Sequence, residues 1–149
     1  MAKAESEIIV NAPIEDVFAY LSDTRLHTQW DEGLDGIVHE PDGPIQLGTK
    51  ITEKRRFLGR PVETMSEVVE FDPPHKYTRS GEDPFPSRGT VTFEPVEEGT
   101  KVTFTLELAA SGFFALAAPL LATALKNSTS DMLKHFKAKL ENNEIKPIS

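Results

Sequence analysis

Residues 99–140 read GTKVTFTLELAASGFFALAAPLLATALKNSTSDMLKHFKAKL, and within this stretch the spacing of apolar side chains changes once. Val102, Phe104, Leu106 and Leu108 alternate with Lys101, Thr103, Thr105 and Glu107, the period of two expected of a strand with one buried and one wet face. Val91 and Phe93 before it, with Glu97-Glu98-Gly99 as the turn, complete a hairpin. After Ser111-Gly112 the period becomes 3.6: Phe114, Ala117, Leu121, Leu125, Ser128, Met132, Phe136 and Leu140 follow i, i+3/i+4 spacing. This predicts one long amphipathic helix from about Ser111 to Glu141. Pro119 either bends it or marks its true first turn, and Lys134, Lys137 and Lys139 suit the negative end of its dipole. The tail from Asn142 to Ser149 is expected to fray.

Turn signals at Pro41-Asp42-Gly43-Pro44, Leu58-Gly59-Arg60-Pro61, Asp72-Pro73-Pro74 and Asp83-Pro84-Phe85-Pro86, together with Glu97-Glu98-Gly99, divide Leu34 to Ala110 into about six strands. The connections are too short for parallel crossovers, so the strands pair antiparallel. A short strand over Ser6–Asn11 precedes them, and Pro13 opens a helix whose first turn carries Glu15 and Asp16 and whose apolar face is Val17, Phe18 and Leu21. A second short helical piece runs from about Asp23 to Trp30. The whole chain, 1–149, reads as a single α+β domain.

Composition narrows function. The net charge of -8 repels a phosphate backbone, which argues against a nucleic-acid partner. The absence of cysteine removes disulfides, thiolate nucleophiles and Cys-ligated metals. No apolar core follows Lys3, so a secretory signal is not expected and a cytoplasmic location is the default. Phe113 to Leu125 falls short of the ~20 residues a membrane span needs and contains Pro119, which argues against stable membrane insertion.

Val10-Asn11-Ala12-Pro13-Ile14-Glu15-Asp16-Val17-Phe18, followed by Asp23 and Trp30, resembles the opening of the START-like (SRPBCC) superfamily, especially its polyketide cyclase/dehydrase branch. Gly48 before a strand, Leu58-Gly59-Arg60, Val68-Val69-Glu70-Phe71-Asp72-Pro73-Pro74 and Gly99-Thr100-Lys101-Val102-Thr103 resemble the turns of the same family, in order along nearly the whole chain. The resemblance implies a helix-grip fold: a curved antiparallel sheet wrapped around the long C-terminal helix, with two short helices after the first strand. It also implies a cavity for a hydrophobic ligand, used in different members for lipid or hormone carriage, aromatic polyketide cyclisation or other small-molecule chemistry.

His27, His39, His75 and His135 are isolated in sequence, without the paired spacing of a metal site, so no metal is expected. No Gly-x-Ser-x-Gly elbow or phosphate loop is present, and no cofactor is expected. In the strand holding Lys54-Arg55-Arg56 alternation offers two registers. With Ile51 and Phe57 facing in, Glu53 and Arg55 face in too; the opposite register brings in Lys54 and Arg56 without a partner. The first is favoured. Glu53 and Arg55 then either pair with each other, at the rim or turned outward by a bulge, or meet a ligand carboxylate or enolate. Tyr77 and Arg79 offer a second polar pair on the next strand, although a core Tyr with an exposed Arg is the plainer expectation. Trp30 and Phe85 are placed at a cavity mouth, with core packing an equal account of Trp30. Phe104, Leu121 and Leu125 are expected to line the cavity as well as to serve as core. Phe113, Phe114, Leu116 and Leu120 give the helix a further apolar side, suited to ligand entry, transient membrane contact or a homodimer patch.

The leading functional expectation is binding or transport of a small hydrophobic, ring-containing ligand. The alternative is a cofactor-independent cyclase, dehydratase or isomerase using cavity Arg, Tyr and Glu. An interaction module is a third.

Overall fold

A computed structural model describes residues 2–57, 59–83, 86–109 and 118–146. Strand β1 (Ala2–Val10) leads into helix α1 (Ile14–Ser22) and a 3-10 helix (Thr24–Gln29). Strands β2 (Leu34–Glu40), β3 (Lys50–Phe57), β4 (Arg60–Asp72), β5 (Lys76–Asp83), β6 (Ser87–Val96) and β7 (Gly99–Leu108) follow, then helix α2 (Ala118–Glu141). The sheet order is β1-β7-β6-β5-β4-β3-β2, antiparallel throughout. This is the helix-grip architecture expected, with the first strand starting earlier than Ser6. The register shifts in β2, between Leu34 and Gly36, and twice in β4, which bends these strands and adds to the curvature of the sheet.

One face of the sheet is covered. Val17, Phe18, Leu21, Leu26 and Trp30 from the helical insertion and Met132, Leu133 and Phe136 from α2 pack with Val10, Ile51, Val68, Tyr77, Val91, Phe93 and Val102 in a single cluster. Phe18 is its aromatic hub, with ring centroids 5.0 Å from Phe93 and 5.9 Å from Phe71. A smaller cluster of Ala4, Leu108 and Leu125, with Leu106 and Leu121 against it, joins the start of α2 to β1 and β7. Gly99 opens β7 at φ +136°, and a Cβ there would overlap the Val10 carbonyl oxygen, so the turn requires glycine.

Two details of the helix differ from the sequence reading. Ser128 is exposed, whereas Thr129 is buried and meets Ser6 of β1 through paired hydroxyls at 2.8 Å. A hydroxyl partner across the interface makes a polar residue acceptable on the buried face. Among the described residues after the helix, 142–146 are anchored rather than frayed. Asn143 adopts φ +57° and Glu144 N–H donates to the Lys139 carbonyl at 2.8 Å, the arrangement that ends a helix in a left-handed residue. Ile145 then returns to the main core at 8% exposure, and the Gln29 side-chain amide bonds both the N–H and the C=O of Lys146. Pro119 lies within α2 as described from Ala118; the expected start at Ser111, with Phe114 and Ala117, lies outside the described residues. Among the described residues no helix is long and apolar enough to cross a membrane.

Candidate functional site

Strand β3 brings Ile51, Glu53 and Arg55 to the covered face, while Lys54 and Arg56 are exposed. This is the favoured register, and the burial of Ile51 at 1% exposure fixes it. Arg55 Nη2 donates to Glu53 Oε1 at 2.9 Å and to Asp31 Oδ2 at 3.0 Å. From β5, Arg79 Nη2 donates to Glu53 Oε2 at 2.6 Å, and Arg79 Nε and Nη2 reach Ser66 Oγ of β4 at 3.1 and 3.0 Å. Each oxygen of Glu53 therefore accepts from a different guanidinium. Arg79 faces inward with its side chain 19% exposed, against the expectation of an exposed arginine. Two guanidiniums facing two carboxylates make its burial tolerable, because the enclosed charge balances.

Burial alone would raise the Glu53 carboxyl, but the charges of Arg79 and Arg55 and their hydrogen bonds outweigh it and hold the group well below the usual carboxylate range. Burial opposes the Arg55 charge, and Glu53 and Asp31 more than restore it. Beside the cluster, His27 Nε2–H donates to the Leu21 carbonyl at 2.6 Å, and the Tyr77 hydroxyl donates to the same oxygen at 3.4 Å. Burial depresses His27 to about 4, opposed by that backbone bond, and burial raises the Tyr77 phenol.

The remaining candidates separate. Trp30 is core: it is 3% exposed, with its ring 5.1 Å from Phe136 and 4.9 Å from His27, and it also borders a cleft shared with His135. Its indole N–H has no partner among the described residues. Phe104 on β7 and Leu121 on α2 are half-buried, and Leu125 is buried at 6%. Phe57 belongs to β3, but its side chain lies outside the described residues, as do Phe85 and the helix-side Phe113, Phe114 and Leu116. Leu120 is 77% exposed. Sequence reasoning misses Asp31 and Ser66; both partner an arginine of another element, and neither carries a local signal for it.

The covered face is not equally buried. The register across the sheet sets Arg79 beside Gly89, Gly89 beside Leu106 and Leu106 beside Ala4. Helix α2 runs closest to β1. Leu106 and Gly89 are half-buried although they lie on the inner face. Two clefts lie elsewhere: one of about 470 Å³ lined by Glu5, Ser6, Glu7, Lys126 and Ser130, and one of about 280 Å³ beside Trp30 and His135. Among the described residues, no three His, Asp or Glu side chains converge as a metal site.

The family described as polyketide cyclase / dehydrase and lipid transport matches residues 1–141. The chain belongs to it. No curated protein matches in sequence. Solved structures share the fold of this family member. TTHA0849 from Thermus thermophilus superposes with a TM-score of 0.81 at 19% identity, over 95% of this chain and 98% of that one. A START superfamily protein from Mycobacterium smegmatis gives 0.76 at 12% identity, over 96% and 99%. The di-domain ARO/CYC StfQ from the steffimycin biosynthetic pathway gives 0.79 at 16% identity; the match covers 95% of this chain and 52% of StfQ.

Proposed function

We propose that this member of the polyketide cyclase/dehydrase and lipid-transport family binds a small ring-containing hydrophobic molecule against the inner sheet face, with an anionic or carbonyl oxygen of the ligand directed to Arg79 and Arg55. The observation that carries the reading is the row Arg79, Gly89, Leu106 across β5, β6 and β7, polar at one end, apolar at the other and without a side chain between. Arg79 Nη1 and Arg55 Nη1 and Nε have no hydrogen-bond partner among the described residues. A ligand oxygen accepting from them gains charge-assisted bonds without displacing Glu53.

Binding is favoured over acid-base catalysis by the electrostatics. A carboxylate held ionised by two guanidiniums is a weak proton acceptor near neutral pH, and a phenol raised by burial is a weak donor. His27 is neutral and commits its N–H to a backbone carbonyl.

The test compares 2-naphthoate with 2-methylnaphthalene by isothermal titration. Replacing Arg79 with Met keeps the fold, because Arg55 still pairs with Glu53 and the aliphatic volume is similar. The acid should lose about tenfold in affinity, the scale of one charge-assisted bond, while the hydrocarbon changes little. Equal losses for both, or none, would contradict the assignment.

A further inference from the structure

Gly89 sits in the middle of β6, where glycine weakens a strand by conformational entropy and lack of packing. Inner-face glycines usually have a backbone reason. Gly81 is one such case, since a Cβ there would overlap the Met65 carbonyl. Gly99 has another in its positive φ. Gly89 has neither. Its φ is not in the left-handed region, and among the described residues an added Cβ would meet only the tips of Leu106 and Phe104, at 3.8 and 3.9 Å, which is ordinary van der Waals contact. Against the described residues alanine fits here without strain, and none of them accounts for the missing side chain. Its neighbours share one feature: Arg79, Leu106 and Phe104 are all incompletely buried on the face that the helices cover.

We infer that Gly89 is a specificity-determining residue, the bare floor over which a flat fused-ring ligand lies with its acidic or carbonyl oxygen toward Arg79 and its far edge against Leu106 and Phe104. This rests on the proposed binding role and deepens it: it assigns the ligand class as planar, with more than one ring. A side chain at 89 rises into that space and sets an upper limit on ring number. A one-ring ligand has room beside it. The protein's own stability does not need glycine at this position, because the backbone is ordinary strand and the nearest atoms are flexible side-chain ends.

The experiment measures the binding of benzoate, 2-naphthoate and anthracene-2-carboxylate to the wild type, Gly89→Ala and Gly89→Val by isothermal titration, with thermal melts of each protein without ligand. Gly89→Ala should melt at or above the wild-type temperature and bind 2-naphthoate about threefold more weakly. Gly89→Val should bind 2-naphthoate and anthracene-2-carboxylate at least about tenfold more weakly and benzoate within about twofold of wild type. Should Gly89→Val not fold, the Gly89→Ala pair of measurements decides alone. Wild-type binding of the larger acids that is unchanged in both variants overturns the role of Gly89 and leaves the binding role standing. A marked drop in the melting temperature of Gly89→Ala also overturns it, by giving the glycine a structural reason. A wild type that binds none of the three acids overturns the binding role itself, and this inference with it.

Discussion

Replacing Glu53 with Leu lowers the free energy of unfolding by about 3 kcal/mol at pH 7, the lower end of what breaking a buried ion pair costs. The cause is what remains behind. Arg55 keeps Asp31, but Arg79 is left, among the described residues, with only the Ser66 hydroxyl. The two arginine side chains are 25% and 19% exposed, and that residual solvation keeps the loss from being larger. Adding Arg79→Met to Glu53→Leu removes the orphaned charge and recovers a large part of the loss, since a buried pair replaced by apolar groups of similar volume is close to neutral. Urea unfolding of the wild type, both single variants and the double variant gives the coupling. A loss under about 1 kcal/mol for Glu53→Leu would mean that the cluster is solvated and only loosely paired.

Acidification removes stability in two steps, and the first belongs to His27. Its value falls from 6.5 to about 4 on folding because the buried ring resists charging. Between these values the unfolded chain takes up a proton that the folded chain refuses. Stability is therefore complete above 6.5, falls as pH drops toward 4 and levels off below it. The difference corresponds to about 3 kcal/mol. His39, also lowered by burial and held between Thr24 and the Gly43 carbonyl, titrates with the same sign. Glu53 acts later: its depressed carboxyl contributes stability above the usual value of 4.5 and loses it only as pH falls below that. His27→Gln keeps a donor for the Leu21 carbonyl and carries no titrating group. Its unfolding free energy should change by about 3 kcal/mol less than that of wild type between about pH 7 and pH 4. Parallel profiles for the two proteins would place His27 in contact with solvent.

Local patterns carry the fold well because each is set by a few neighbouring residues. The alternation in 101–108, the change of period after Gly112 and the turn prolines each specify an element, and order together with short connections specifies an antiparallel sheet. Strand alternation also identifies the inward pair Glu53 and Arg55, because one apolar neighbour on each side commits the register. What alternation does not contain is the partner across space. Sequence offers Arg79 both as half of an inner polar pair and, more plainly, as an exposed side chain, since inward arginines are uncommon, and only the folded arrangement supplies Glu53 from two strands away. A polar, terminal tail reads as frayed, yet Ile145 anchors it and Gln29 holds the next residue. Ser128 and Thr129 differ by one position on the helix, and the choice between them is made by Ser6 of β1, which no helical period can see.

Placement of a ring-bearing ligand between Arg79 and Leu106 on the inner sheet face is tested most directly by intermolecular nuclear Overhauser effects. The measurement uses bound 2-naphthoate and protein labelled at Leu methyls and Phe rings. Contacts are expected from the ring protons to Leu106, Leu121 and Phe104, at the apolar end of the row. Contacts instead to Phe136, whose ring packs on Trp30 of the cleft shared with His135, with none to Leu106 or Phe104, would contradict the proposed site.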